Sequence, residues 1–171
     1  MRLAMYDVLT VYYGGTEEIM FPKVDVGRAN LDFGPGFYVT DIFVQAKDWA
    51  LKIADDRGSV PMINIYHLKQ KELFSKCRYK IFDTYNKDWL DFVTHSRLGK
   101  KPWIGYDYVE GGVADDRVVN TIRLYMGGYI SADEALNRLK YFKPTSQICL
   151  LNQHFTDQYL SFVESKILNG L

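Results

Sequence analysis

Residues 11–19 read VYYGGTEEI, an aromatic, β-branched run that stops at two glycines and turns acidic. Together with Val8, Leu9 and Thr10 it has strand composition over 8–13, and Gly14-Gly15-Thr16 ends it in a loop. A glycine pair at such a point has two readings. It is a turn requiring positive φ, or it is bare backbone whose amides can approach a planar polar ligand that a Cβ would hold off. The nine residues alone leave both open.

Working outward, FPKVDVGRANLDFGPG (21–36) holds two prolines and three glycines, which predicts an irregular surface loop to about residue 35 before GFYVT (36–40) resumes as a short strand. Thr40 or Asp41 can cap a helix over DIFVQAKDWALKIADDRG (41–58). Its Ala46, Trp49, Ala50 and Ile53 share one face, and Gly58 ends the period. MINIYHLK (62–69) and RYKIFD (78–83) alternate and read as a pair of strands. Asn86 caps a helix whose Trp89, Leu90, Phe92 and Val93 face inward. YDYVEGGVADD (106–116) reads as a strand broken by Gly111-Gly112, followed by a helix with Val118, Val119, Ile122 and Tyr125 on one side. Ser131 to Glu134 form a capping box, SQICLL (146–151) is a buried strand, and TDQYLSFVESKIL (156–168) reads as a closing amphipathic helix. This order is neither a repeat nor regular βαβ alternation, so the expected fold class is α+β.

At 171 residues the chain is sized for a single domain, 1–171, burying roughly two-thirds of its unfolded surface. Twenty-one basic and twenty-one acidic side chains cancel, which removes the long-range field that bulk nucleic-acid or anionic-membrane binding needs. Aromatic residues at 15%, thirteen of them tyrosine, suggest that some rings line a cleft or an interface. Cys77 and Cys149 form no disulfide framework, no Cys or His stands at metal-ligand spacing, and no apolar stretch approaches membrane-spanning length. The expectation is a cytoplasmic, metal-free protein with no membrane partner. There is no P-loop, GPGFY leads into a strand rather than opening a helix, and no serine or cysteine sits in an elbow motif. Asp115-Asp116-Arg117 suits a ribose or a metal as well as it suits helix capping.

Taken in order, VYYGGTEEI, LDFGPGFYVTDIFVQAKDWA, DTYNKDWLDFV, YDYVEGGVADDRV and QICLL resemble the bacterial family known as domain of unknown function 3990, over about residues 9 to 155. That family is similar to ADP-ribosyltransferases, in which a split pair of antiparallel sheets flanked by helices grips NAD. Its members often stand beside a small partner in what look like toxin–antitoxin pairs. The resemblance implies NAD as substrate, a protein or nucleic-acid acceptor, and a small antitoxin partner.

It also implies site residues. Tyr12, Tyr13, Gly14, Gly15 and Thr16 stand where such transferases carry Tyr-His-Gly-Ser/Thr, whose histidine holds a ribose hydroxyl and whose glycine pairs with the nicotinamide amide. In the second motif Tyr38 would stack on nicotinamide, flanked by Phe37 and Thr40. Gln147 matches the glutamate that stabilises the oxocarbenium ion formed as nicotinamide leaves. Two departures follow. Tyr13 replaces a histidine and still donates a hydrogen bond. Gln147 keeps the hydrogen bond and loses the charge, worth on the order of 4 kcal/mol at 4 Å and an effective dielectric near 20, roughly a thousandfold in rate. Glu110, Asp115, Asp116, Glu17 and Glu18 are the acids that could replace it. The expected function is thus an ADP-ribosyltransferase-like toxin. The alternatives are a catalytically quiet module recognising a partner protein or an ADP-ribose-like ligand, and a hydrolase releasing nicotinamide.

Overall fold

In the computed structural model, which describes residues 5–142 and 145–168, the opening stretch forms β1 (Leu9–Gly15). It pairs antiparallel with β3 (Met62–Leu68), from Leu9 opposite Leu68 to Gly15 opposite Met62. β3 is central, and β7 (Leu160–Ile167) covers its other edge, giving a three-stranded sheet I in the order β1-β3-β7. Sheet II has the order β2-β6-β5-β4, built from β2 (Phe37–Val39), β6 (Gln147–Leu150), β5 (Tyr108–Gly111) and β4 (Tyr79–Ile81). Its ladders are antiparallel except β4–β5, which is parallel. A parallel pair needs a long crossover. The segment between β4 and β5, carrying α3 (Lys87–Arg97), supplies it.

The fold is α+β, with two sheets and six helices among the described residues. Alternation along the strands sorts side chains into layers. Val11, Tyr66 and Leu68 of sheet I meet Phe37, Val39, Tyr108, Ile148 and Leu150 of sheet II in a core between the sheets. Val109 and Cys149, on the far face of sheet II, are covered by α3, α4 (Asp116–Met126) and α5 (Ala132–Leu139), which contribute Trp89, Val118, Ile122 and Leu139. On the far face of sheet I, α1 (Phe43–Arg57) packs Ala46 and Ala50 on Ile63. No described helix is long and apolar enough to cross a membrane.

The caps of two helices follow the sequence signals. Asn86 Oδ1 accepts from Trp89 N at 2.8 Å, and Ser131 Oγ from Glu134 N at 3.2 Å. α1 departs from its signal, because Thr40 and Asp41 precede a helix whose N-cap is Ile42, and Thr40 Oγ1 instead accepts from Ile42 N at 3.1 Å. Trp49, expected inward, is 55% exposed, and the buried stripe is Ala46, Ala50 and Ala54. The reason lies at Gly14. A Cβ there would stand 2.1 Å from Ala46 O, so the helix backbone rests on the strand and only small side chains fit the seam.

Two expectations for pairing and for the last element are corrected. The strands around 62–69 and 78–83 do not pair. α2 (Gln70–Phe74) intervenes and carries the chain from sheet I to sheet II. The closing helix is only α6 (Gln153–Tyr159), after which residues 160–167 turn into β7. Leu160 and Phe162 satisfy a strand period, as Leu160, Val163 and Ile167 satisfy a helical one, and the open edge of β3 decides, since its amides and carbonyls otherwise lack partners.

Gly14→Ala should therefore overpack the α1–β1 seam and cost about 2–3 kcal/mol, lowering the thermal midpoint by roughly 5–10 °C. Gly15→Ala is the control. There the nearest atoms to the added carbon belong to the Tyr13 ring, 2.7 Å away, a side chain rather than helix backbone, so differential scanning calorimetry should show a smaller loss.

Candidate functional site

The first two motif segments meet through backbone alone. Tyr12 N donates to Thr40 O at 2.7 Å and Thr40 N to Tyr12 O at 2.9 Å, an antiparallel bridge between the outer edges of β1 and β2. β2 in turn pairs with β6, Val39 lying opposite Ile148, so Gln147 begins the neighbouring strand close to Thr40. α1 ties in the same place. Gln45 Nε2 donates to Ser146 O at 2.7 Å, and Ser146 N to Gln45 Oε1 at 3.2 Å.

The side chains of the three segments then divide between two faces. Tyr13 joins the core between the sheets and stacks on Phe37, with centroids 5.1 Å apart and planes 21° off parallel. Burial pushes its phenol pKa up, so its hydroxyl is neutral and able to donate at neutral pH. Gly15 lies under that ring, and Gly14, on the opposite face, receives α1. Both glycines thus serve close packing. Thr16 is half-buried, and the loop beyond it is fastened by two residues that the sequence reading passed over. Asn64 donates from Nδ2 to Glu17 O and accepts from Ile19 N, each at 2.8 Å, while the Tyr66 hydroxyl donates to Ile19 O at 2.5 Å. An asparagine inside the apolar run MINIYHL was the available signal.

Tyr38 and Gln147 point the other way, to the face of sheet II that the helices cover. The Tyr38 hydroxyl donates to Gly34 O at 2.6 Å and accepts from Phe33 N at 3.0 Å, closing the 33–34 turn, and burial drives its pKa far up. Gly34 itself adopts φ 101° against the Trp103 indole, a conformation and contact that exclude other residues. Gln147 Nε2 donates to Asp32 Oδ2 at 3.3 Å and Gly112 O at 3.4 Å. Asp32 is buried. Its Oδ1 accepts from Arg97 Nε at 2.8 Å and Nη2 at 2.7 Å, and its Oδ2 from Ala114 N at 3.2 Å. The carboxylate beside Gln147 is therefore Asp32, held by an arginine, and it stood outside the sequence-derived set.

Those sequence-derived acids are dispersed. Glu17 and Glu18 are exposed, and Glu18 accepts from the Ser165 hydroxyl. Asp115 Oδ1 accepts from Val118 N at 3.1 Å, the capping role, and the side chain of Asp116 lies outside the described residues. Glu110 is buried and lines a cavity of about 530 Å³ at the end of sheet II. Phe82, Tyr85 and Phe142 form its aromatic walls, Thr84 and Thr145 add hydroxyls, and Lys140 adds a cation. The back wall is fixed: Tyr85 Oη donates to Val113 O at 2.9 Å, and Thr145 Oγ1 accepts from Val113 N at 2.8 Å. Among the described residues no group of three or more His, Cys, Asp or Glu could hold a metal ion.

Gln147→Glu, which would restore the charge that the resemblance expects, places a second carboxylate against Asp32 and the Gly112 carbonyl. The variant should lose about 1–3 kcal/mol at pH 7 and recover part of that as the pH is lowered towards 4, because protonating one of the two acids turns repulsion into a hydrogen bond. Urea melts at the two pH values, each compared with the unmodified chain, read this directly.

Searches of curated proteins and of solved structures find no match to the chain. A family model described as "Protein of unknown function (DUF3990)" matches residues 9–162, a span that takes in β1, the Tyr12–Thr40 bridge, the Gln147 strand and the start of β7, and the chain belongs to that family.

Proposed function

We propose that this protein binds NAD where the two sheets meet and acts as an ADP-ribosyltransferase-like protein, the toxin-type member of a toxin–antitoxin pair, passing ADP-ribose to a macromolecule. The observation that carries the reading is convergence. Segments around residues 12, 40 and 147, far apart in the chain, are joined by the Tyr12–Thr40 bridge and the β2–β6 ladder beside a cavity of about 530 Å³. That volume is of the order of small-molecule sites. The aromatic walls suit planar rings, the threonine hydroxyls suit ribose, and Lys140 suits a phosphate.

NAD supplies an ADP-ribosyl group: its bond to nicotinamide breaks with the electron pair leaving on nicotinamide, and an acceptor nucleophile closes the new bond as it gives up a proton. In this reading the chain's part is to bind and orient. Tyr13, neutral and stacked, offers a hydroxyl donor, and Gln147 holds Asp32 and Gly112 in place. A second reading, a catalytically quiet module that recognises a partner or an ADP-ribose-like ligand, is favoured by one observation. The Gln147 position carries a carboxamide whose nitrogen is engaged by Asp32 and Gly112.

Labelled NAD incubated with bacterial protein and nucleic acid, together with calorimetry of NAD alone, tests both. Label on a macromolecule supports the transferase, and binding heat without label supports the quiet module. Free ADP-ribose marks a hydrolase, and silence in both assays rejects an NAD site. Tyr13→Phe should weaken NAD binding about five- to tenfold, the worth of one hydrogen bond, with the stacked ring and the thermal midpoint retained.

A further inference from the structure

The transferase reading lacks a carboxylate at Gln147, and β5 offers another. In the ladders of sheet II, Glu110 lies opposite Ile148 on one side and Ile81 on the other. An apolar side chain is the expected occupant of such a slot, since burying a carboxylate is costly unless it is held. Yet Glu110 is 5% exposed, lines the cavity, and accepts from the hydroxyl of Tyr108, itself fully buried. Tyr108 accepts in turn from Gln70 Nε2 at 3.4 Å, and Gln70 is buried too. Three polar side chains thus run through the core between the sheets and end at an acid on the cavity wall. Alternation places Glu110 on the same face of sheet II as Phe37, the ring on which Tyr13 stacks, whereas Gln147 faces the helices.

We infer that Glu110 is the catalytic carboxylate of this cleft, contacting the NAD ribose and stabilising the positive charge that develops on it as nicotinamide departs. The assignment rests on the transferase reading. Tyr108 is a positioning residue, holding the carboxylate through its hydroxyl.

Glu110→Gln keeps the size and the acceptor for Tyr108 and removes only the charge. It should lower nicotinamide release by roughly a thousandfold while NAD affinity, read by calorimetry, stays within about threefold. If the unmodified chain turns NAD over and Glu110→Gln keeps more than a tenth of the rate, Glu110 is not the catalytic acid and the transferase reading stands. If the unmodified chain binds NAD without releasing nicotinamide, the catalytic role falls and the quiet module stands. If it binds no NAD, both readings fall. Should Glu110→Gln not fold, Tyr108→Phe leaves the carboxylate and removes its donor: about a tenfold loss of rate at unchanged NAD affinity supports the assignment, and an unchanged rate overturns it.

Discussion

Two backbone hydrogen bonds, between Tyr12 and Thr40, join the edges of two small sheets that also share one core. Each is worth only about 1 kcal/mol net. Their leverage is geometric. β1 and β2 are both edge strands, and one bridge joins them at a corner while the rest of the two edges diverges. Above the bridge Phe43 of α1 meets the Tyr12 ring edge-on at 5.3 Å, and below it Tyr13 stacks on Phe37. α1, both sheets and the start of the Gln147 strand come together at that corner.

The site divides its polar groups by face. On the helix-covered side of sheet II, Asp32, Arg97 and Gln147 form a buried network that joins the 30–34 turn, the end of α3 and the start of β6. Such a network adds less stability than its distances suggest, because both charges were desolvated, but removing one member strands the other. It suits a glutamine at 147, which donates to Asp32, and it opposes a glutamate. On the side facing sheet I the polar line is Gln70, Tyr108 and Glu110. One line fastens the frame, and the other ends at Glu110, which lines the cavity together with Phe82, Tyr85 and Phe142 of the helix-covered side.

Much of this was legible in the residues. Helices α3 and α5 announced themselves through Asn86 and Ser131, whose side chains bond the predicted amides, and the strands at 37–39 and 147–150 lie within the predicted runs, whereas β1 continues through Gly14 and Gly15, expected as loop, because both pair with β3. What escaped was decided by tertiary contact. LSFVESKI supports either period until the free edge of β3 selects strand, and Trp49 looks inward until Gly14 brings the α1 backbone too close for any side chain larger than alanine. At the site, sequence order picked out the segments that converge, but it could not tell which face each side chain takes. That required the register, which sets Tyr13 and Gln147 on opposite sides, and the long-range bonds that bring Asp32 to Gln147 across more than a hundred residues of chain.

Sheet I also imposes an order on synthesis. Its central strand, β3, is complete by residue 68, yet β7, which covers its second edge, begins only at residue 160. While the intervening chain is translated, an apolar strand rich in isoleucine stands with one row of amides and carbonyls unpaired, the condition under which nascent chains recruit chaperones or pair with one another. The late strand is also the one carrying Glu164 and Lys166 on its exposed side. Closing the sheet and charging its final edge are therefore a single event, and it comes last.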